Sequence, residues 1–474
     1  MTNPAKIPDS TSSDQGEPIR YINLYEAEDK VYTRKITGFF QKLRRYTGLP
    51  LIAGFVLMPW LSIDGRPAML FDLPERQFHI LWTTFWPHDG MYLAWLLIIS
   101  AFLLFTVTVL VGRVWCGFTC PQTVWTQMFI WAEFFCQGDR NRRIKLDQSP
   151  WNLNKILRKG ATHAIWLLIA LITALTFVGY FVPVRELILG LATIDIHPAA
   201  AFWVFFFMLA TYGNAGFLRQ QVCKYMCPYA RFQSVMYDSD TLTVFYNPLR
   251  GEKRGPRKPE EDYKAKGLGD CIDCSWCVQV CPVDIDIRDG LQLECIDCGL
   301  CVDACNAVMD KMEYPRGLIS FTTEDAIKTG STRIWRPRLI GYALVLLVMV
   351  SVFSYSIATR TPLGLEVIRD RGVRMYRISG EDVHNVYTMK IRNMDSREHV
   401  YDLHIDGDYP FRLEGYRPAS VAPGEVYTIP VRAAVKRKAF DDVETDITLT
   451  LTARDNQALS TTHTTSFIGP ALSR

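Results

Sequence analysis

The sequence has no cysteine after Cys305, few histidines and almost no excess of either charge. With 52 Lys and Arg against 49 Asp and Glu, the net charge of +3 provides no polyanion-binding surface, and no nucleic-acid partner is expected. No two of the 8 histidines fall at matched depth in the apolar segments, which argues against a pair of axial haem ligands. The first 20 or so residues are polar and lack an apolar core, which indicates a disordered tail rather than a signal peptide.

What is present is a mixture of apolar segments and charged segments. Hydrophobic residues make up 49% of the 474 residues, with 12 Trp and 26 Phe, although long stretches of the chain are highly charged. Because apolar and charged residues are concentrated in different segments, the sequence predicts membrane spans joined to soluble regions.

Five apolar segments are candidate membrane spans. They lie near residues 37–61, 91–111, 161–182, 199–217 and 338–358. A shorter aromatic stretch, Thr123–Phe135, is better explained as an interfacial or re-entrant helix, and its Glu133 is expected to be solvated at the membrane surface. Lys and Arg flank the N-terminal ends of the first, third and fifth spans and the C-terminal ends of the second and fourth, which places those flanks and the N-terminus in the cytoplasm.

Eight cysteines lie within residues 271–305 and repeat one spacing, C-x2-C-x2-C-x3-C. This is the bacterial ferredoxin pattern for two [4Fe–4S] clusters, in which the fourth cysteine of each run ligates the other cluster. The pattern therefore predicts one ligand set of Cys271, Cys274, Cys277 and Cys305 and a second of Cys295, Cys298, Cys301 and Cys281. Asn306 stands where proline usually follows the last cysteine, a departure that changes no ligand.

A second, shorter motif, C-x3-C-P, occurs twice, at Cys116–Pro121 and at Cys223–Pro228. Each copy follows the cytoplasmic end of a predicted span, and its proline predicts a helix break at the second cysteine. The four thiols, Cys116, Cys120, Cys223 and Cys227, are therefore expected at matching depth, and such soft ligands suit Cu(I), zinc or an iron–sulfur site. No spacing pairs Cys136, which we interpret as structural, and a metal contact by His79 or His88 in the outer loops stays open.

The composition changes again from about residue 362. Four stretches, beginning at Val386, His399, Tyr427 and Asp446, alternate apolar and polar residues and are separated by turn sequences. This is the period of half-buried strands. About seven such strands predict an all-β sandwich of immunoglobulin-like size.

Taken together, these motifs resemble the FixG/CcoG/RdxA family of bacterial cytochrome c oxidase accessory proteins. The resemblance covers nearly the whole chain, and the paired C-x3-C-P motifs are its most specific part. It implies an α-helical transmembrane bundle of about five spans with an inserted α+β dicluster ferredoxin domain and a C-terminal immunoglobulin-like sandwich. The boundaries it suggests are a cytoplasmic tail (1–33), a transmembrane region (34–220), a cytoplasmic ferredoxin-like domain (221–337), a last span (338–358) and a periplasmic domain (362–474).

The resemblance also implies a function in the bacterial inner membrane. A member of this family is expected to reduce Cu(II) to Cu(I) for the assembly of a cbb3-type oxidase, with Cys116, Cys120, Cys223 and Cys227 binding the copper. The implied partners are a cytoplasmic electron donor, copper chaperones or a copper transporter, and oxidase assembly factors, and a homodimer is possible. The main alternative is a quinol-linked electron-transfer subunit that feeds a periplasmic reductase, because such subunits share both cysteine patterns.

Overall fold

A computed structural model describes residues 30–63, 65–74, 76–259, 261–369, 376–395 and 397–470. The predicted disordered tail therefore lies outside the described residues as far as residue 29. The α-helices are α1 (Phe39–Leu57), α2 (Gly90–Val111), α3 (Val114–Phe118), α4 (Pro121–Gln137), α5 (Arg140–Gln148), α6 (Leu153–Val178), α7 (Val184–Thr193), α8 (Pro198–Gly213), α9 (Pro228–Met236), α10 (Pro248–Gly251), α11 (Trp276–Gln279), α12 (Leu300–Lys311), α13 (Glu324–Thr329) and α14 (Pro337–Ala358). Short 3₁₀ turns span Met58–Trp60, Pro87–Asp89, Ile287–Asp289 and Arg437–Ala439, and π-helical turns span Asn214–Leu218 and Val222–Met226.

The strands are mostly in the C-terminal quarter of the chain. They are β1 (Ser62–Ile63), β2 (Arg66–Pro67), β3 (Met69–Asp72), β4 (Gln77–Ile80), β5 (Thr83–Phe85), β6 (Thr243–Tyr246), β7 (Ile319–Thr322), β8 (Leu363–Arg369), β9 (Arg377–Ser379), β10 (Asp382–Asn393), β11 (His399–Gly407), β12 (Arg412–Glu414), β13 (Ser420–Val421), β14 (Val426–Lys436), β15 (Glu444–Ala453) and β16 (Ser460–Ile468).

Four helices of the described residues are long and apolar enough to cross a membrane. They are Gly90–Val111, Leu153–Val178, Pro198–Leu218 and Pro337–Ala358. Each coincides with one of the last four predicted spans, and α4 and α8 pack on α6 while α2 packs on α14. The chain is therefore a membrane protein by the length and composition of these helices.

The first predicted span coincides with helix α1, which is not among these four. Helix α1 contains Lys42, Arg44 and Arg45 and the internal Pro50, and these residues lower its apolar character. Helix α1 contacts α6, and the hydroxyl of Tyr180, two residues after the end of α6, donates to the carbonyl of Phe55 at 2.9 Å. Because composition alone does not identify α1 as a span, the count of five spans stays a prediction.

The helices separate two ends of the molecule. At the end that we call the cluster end, the N-terminal segment meets the cysteine-rich segment 271–305, since the Arg34 amide donates to the Gln279 carbonyl at 2.8 Å. At the other end, the sandwich end, the Arg360 guanidinium lies 2.6 Å from the Asp89 carboxylate. This contact joins the strands β8–β16 to residues 62–90, which are called the outer loop below. This separation is the one that opposite membrane faces require, although the assignment of each end to a face stays a prediction.

The C-terminal strands form two packed antiparallel sheets, which confirms the predicted immunoglobulin-like sandwich. One sheet has the order β12-β14-β10-β8, with β9 also paired to β10, and the other has the order β13-β11-β15-β16. Buried and half-buried residues alternate along β10, which is the predicted period of two. Strands β9, β12 and β13 have only two or three residues, too few to show any alternation, and so the sequence predicts fewer strands than the structure has.

Glu133 on α4 is buried, so the prediction that it is solvated was wrong. Its side chain is 1% exposed and lies 2.6 Å from the Arg143 guanidinium and 2.8 Å from that of Arg219. A carboxylate removed from water needs such partners. Because the two arginines come from other parts of the chain, the local sequence around Glu133 did not reveal them.

Candidate functional site

The eight ferredoxin-type cysteines line two adjacent cavities. The cysteines of one cavity are Cys271, Cys274, Cys277 and Cys305. Those of the other are Cys281, Cys295, Cys298 and Cys301, with Cys277 also at its wall. The cavities thus divide the thiols in the interleaved way that the spacing predicts. The cavity of Cys271 is called the first cavity below, and that of Cys281 the second cavity.

Helix geometry explains the interleaving. Cys301 and Cys305 are both on α12, one turn apart and therefore on the same face. Cys301 opens into the second cavity and Cys305 into the first, so one short helix serves both. Strands β6 and β7 pair beside the cavities and contribute apolar wall residues.

The chemistry of these thiols suits a metal cluster. Burial raises the pKa of Cys277, Cys281 and Cys305 to about 12, so without metal each thiol keeps its proton at neutral pH. Binding of a cluster must displace those protons, since the ligand is the thiolate. Among the described residues, no group of three or more Cys, His, Asp or Glu converges closely enough for a single metal ion, whereas four thiols around a larger cavity fit a cluster of several atoms.

The two C-x3-C-P motifs end in the same local structure. Cys120 precedes α4 and Cys227 precedes α9 with non-helical backbones, and Pro121 and Pro228 occupy the first helical positions. Proline is well suited to this position because the amide that it lacks has no partner inside the helix. The predicted helix break at the second cysteine of each motif is therefore confirmed.

The structure makes the four thiols of these motifs neighbours, although in the described residues they do not converge on a position for a single metal ion. The electrostatic environment of Cys116 includes Cys120, Cys223 and Cys227, and that of Cys223 includes Cys120 and Cys227. Cys223 lies in the π-helical turn Val222–Met226, a rare conformation that often marks functional sites.

Hydrogen bonds position Cys116 within this group. Its thiol donates to the Gln233 side-chain oxygen at 3.5 Å, and the Gln233 amide donates to the Thr108 hydroxyl at 3.3 Å. Gln233 is fully buried on α9, the helix that follows the second motif. Burial raises the pKa of Cys116 to about 12 and that of Cys223 to about 11. Both thiols therefore keep their protons until a metal displaces them.

Helix α3, which carries Cys116, packs directly on the wall of the second cavity. A side chain at Gly117 would place its Cβ 2.6 Å from the Ile296 carbonyl oxygen and 2.9 Å from the Cys298 Cα, so only glycine permits this approach. Cys116 also packs on the same apolar cluster as Cys298. The first C-x3-C-P motif and the second cavity are therefore direct neighbours.

Buried polar contacts fix this junction. The Arg113 amide donates to the Asp297 carboxylate at 2.8 Å, and its side chain donates to the Cys295 carbonyl at 3.4 Å. The Asp303 carboxylate accepts the amides of Phe40 and Gln41 at 3.2 and 2.9 Å. Asp303 thus caps the N-terminus of α1, and α1 is held against α12.

Several of these residues were missed by sequence reasoning. Asp297 and Asp303 stand inside the cysteine runs, and that proximity was the only indication available for them. For Gln233 and Arg113, the sequence contained no sign of a role at the site except that each is a polar residue close to a C-x3-C-P motif. Of the two histidines left open, His79 has its Nδ1 2.9 Å from the Thr84 hydroxyl and 3.1 Å from Arg66, whereas the His88 side chain lies outside the described part of the chain.

Comparisons with known proteins agree with this architecture. Residues 218–324 match the family described as a 4Fe-4S dicluster domain, and residues 93–145 match a 4Fe-4S binding domain. Residues 353–470 match the IG-like fold at the C-terminal of FixG. The nitrogen fixation protein FixG of Rhizobium meliloti is 36% identical over 421 residues, which cover 81% of this chain and 80% of that protein. The chain belongs to the FixG/RdxA family.

A second curated relative supports the same assignment, and one solved structure is similar to part of the chain. Protein RdxB of Cereibacter sphaeroides is 35% identical over 434 residues, 88% of this chain and 90% of that protein. The crystal structure of a FixG-related protein from Vibrio parahaemolyticus is 31% identical, with a TM-score of 0.21, and the match covers 23% of this chain and 95% of that one. The predicted family is thus confirmed, and the chain is an iron–sulfur protein of the oxidoreductase type, involved in electron transfer.

Proposed function

We propose that this chain is a membrane-bound cupric reductase that passes electrons from two [4Fe–4S] clusters to a thiolate site and reduces Cu(II) to Cu(I) for assembly of a cbb3-type cytochrome c oxidase. The observation that supports it best is the contact between Cys116 and the apolar cluster around Cys298. Metal-binding thiols next to an electron store are the arrangement that copper reduction requires.

The cluster ligands follow from the two cavities. The first cluster would be held by Cys271, Cys274, Cys277 and Cys305, and the second by Cys281, Cys295, Cys298 and Cys301. When bound, such clusters supply one-electron storage at low potential. The buried apolar walls would exclude water from both.

Copper is the substrate of the thiol site. Cys116, Cys120, Cys223 and Cys227 are soft donors, which favour Cu(I) over Cu(II). Each Cu(II) that becomes Cu(I) takes up one electron, and each coordinating thiol releases its proton. The hydrogen bond from Cys116 to Gln233 at 3.5 Å would hold that thiol in place until copper arrives.

The placement of the chain follows from its charge pattern. We place the cluster end in the cytoplasm and the sandwich end in the periplasm of a bacterial inner membrane, with about five spans and the domain boundaries given above. A cytoplasmic donor would supply electrons at the cluster end. The product Cu(I) would pass to a copper chaperone or transporter and then to oxidase assembly factors, and a homodimer is compatible with this arrangement.

The test is anaerobic copper reduction by the purified full-length protein. With its clusters reduced beforehand, the wild-type protein should convert about one Cu(II) per cluster, detected by a Cu(I)-specific chelator and by the return of the oxidised cluster absorption. Replacing Cys116, Cys120, Cys223 and Cys227 together with Ala should abolish copper binding and leave iron content and cluster absorption unchanged. The matched control is Cys136→Ala, which removes a nearby cysteine of α4 that lies outside both motifs.

Two results would contradict the proposal. Copper binding that persists in the fourfold variant would show that the four thiols are not the copper ligands. If protein that contains no iron reduced copper at the wild-type rate, the clusters would not be the source of the electrons.

A second candidate is a quinol-linked electron-transfer subunit. The match of residues 93–145 to a 4Fe-4S binding domain favours it, because that match includes the first C-x3-C-P motif. Oxidation of a soluble quinol by the purified protein, with reduction of its clusters and no dependence on copper, would support this alternative.

A further inference from the structure

Arg44 is a buried cation at the junction between α1, α3 and the second cavity. Its side chain is only 5% exposed, and its Nε donates to the Gly117 carbonyl at 3.0 Å. Gly117 in turn lies against Cys298, whose Cα would be 2.9 Å from a Cβ at that glycine. The guanidinium therefore sits in the layer that separates the first C-x3-C-P motif from the second cavity.

In the part of the chain that the structure describes, this guanidinium has no carboxylate partner. Among the described residues, the acidic groups that act on it are the thiols of Cys298 and Cys281, and both belong to the second cavity. By contrast, the other buried arginine pair in this region, Arg143 and Arg219, shares the carboxylate of Glu133. A buried cation without such a partner is costly, so a negative charge placed near Arg44 would stabilise the fold.

We propose that Arg44 is the countercharge of the second [4Fe–4S] cluster and raises its reduction potential above the value that the ligands alone would set. Four thiolates give a bound cluster a negative charge in both redox states, and reduction adds one more. A cation held nearby in a low-dielectric interior stabilises the more negative, reduced state. Electrons would therefore collect on the cluster nearest Cys116, from which the thiol site is reached.

The environment of the first cavity differs. The arginine in its lining, Arg288, forms ion pairs with Asp286 and Asp273, both at 2.5 Å. Since those carboxylates neutralise Arg288, the described lining of the first cavity has no buried arginine that lacks a carboxylate partner. Two clusters with the same kind of ligands should therefore differ in reduction potential.

The experiment is a redox titration of the full-length protein in detergent, followed by electron paramagnetic resonance. Variants C274A and C301A, each expected to lose one cluster, assign the two signals. In Arg44→Gln, the ratio of reduced to oxidised second cluster at a fixed solution potential should fall about tenfold or more, which is about 59 mV for a one-electron couple. The first cluster should keep its midpoint.

Two matched variants control for charge and for folding. Arg45→Gln removes the neighbouring, exposed charge of the same helix and should leave both midpoints unchanged. Arg44→Lys keeps the cation and should keep the wild-type midpoint. If Arg44→Gln does not assemble both clusters, the test rests on Arg44→Lys. An Arg44→Lys protein that contains both clusters but has a strongly lowered midpoint potential for the second cluster would overturn the proposal.

The role proposed for Arg44 rests on the proposed cluster ligands. Different results would contradict the ligand assignment and the role of Arg44. Wild-type protein with far fewer than about eight iron atoms per chain would overturn the ligand assignment. Fully loaded Arg44→Gln protein with unchanged midpoints, or an equal shift in Arg45→Gln, would overturn the role of Arg44 alone.

Discussion

At the scale of single residues, buried charge is used in three ways in this chain. Glu133 neutralises two arginines, Asp303 caps a helix, and His399 in the sandwich lies between two acids. In each of these, the partner satisfies a group that would be costly to bury alone. Arg44 differs from them because its proposed partner is a cofactor.

His399 should make the stability of the sandwich depend on pH. Its ring nitrogens lie 2.7 Å from the Asp455 carboxylate and 2.9 Å from that of Asp395. Burial acts to lower the pKa of His399, but the two carboxylates outweigh it and the pKa is raised. The stabilisation is therefore complete below about pH 6.5, and it is lost as the pH rises through the higher pKa of the folded state.

The check is thermal unfolding of the full chain from pH 5 to 9. His399→Leu should cost about 1–2 kcal/mol at pH 5 and clearly less at pH 9. His404→Leu, on the exposed face of the same strand, is the control. A difference between His399→Leu and wild type that does not vary with pH would argue against the charged pairing.

At the scale of elements, short helices and turns are held together by contacts that the sequence does not reveal. Helix α4 follows the first C-x3-C-P motif, and Arg219 lies between the two π-helical turns, one of which carries Cys223. Glu133 on α4 pairs with Arg219 at 2.8 Å. The same ion pair thus ties together the elements of both motifs.

Glu133→Gln should strongly destabilise this region. It leaves Arg143 and Arg219 buried without a counterion, which typically costs about 3–5 kcal/mol. Glu324→Gln, which breaks an exposed pair with Lys328, should cost less than about 1 kcal/mol. Thermal unfolding in the same detergent compares the two variants. Equal losses of stability would mean that the buried ion pairs of Glu133 stabilise the fold no more than the exposed pair does.

Gly117 tests the contact between α3 and the second cavity. A methyl group there meets the Ile296 carbonyl oxygen at 2.6 Å, so Gly117→Ala should push α3 outward and cost about 1–3 kcal/mol. Reoxidation of the reduced protein by copper should also slow, because Cys116 moves away from the second cavity. Gly160→Ala, in open space on α6, is the control, and a Gly117→Ala protein with wild-type stability and rate would refute the tight contact.

At the scale of the whole molecule, the two soluble regions are attached to opposite ends of the helices by a few buried contacts. Asp303 joins α12 to α1 at the cluster end, and the Asp89–Arg360 ion pair joins the outer loop to the sandwich. Trp86 also packs near Gly424 in a turn of the sandwich. These contacts give the sandwich a fixed position over the outer loop.

Arg360→Gln should loosen this attachment. The Asp89 side chain is only 6% exposed and would lose its cation, so the linker between α14 and β8 should become more accessible. We expect faster proteolysis near residues 359–362 and faster hydrogen exchange in the outer loop, with unchanged iron content. Arg454→Gln, which breaks an exposed pair with Asp402 on the sandwich, should change neither, and identical behaviour of the two variants would exclude a fixed attachment.

The sequence by itself determined the local features of this protein. The apolar runs, the alternation of the strands, the helix breaks at Cys120 and Cys227 and the two cysteine spacings each depend on residues close in the chain. Periodicity and spacing therefore carry enough information for them. The family followed from the order of those features.

Only the tertiary structure decided which features meet. Arg44 and Gly117 are 73 residues apart, and Arg113 and Asp297 are 184 apart, so no local pattern links them. The burial of Glu133 and the contact of Cys116 with the second cavity depend on the packing of several helices at once. Because burial sets the cost of each charge and the position of each thiol, the proposed path from cluster to copper could be argued only from the folded chain.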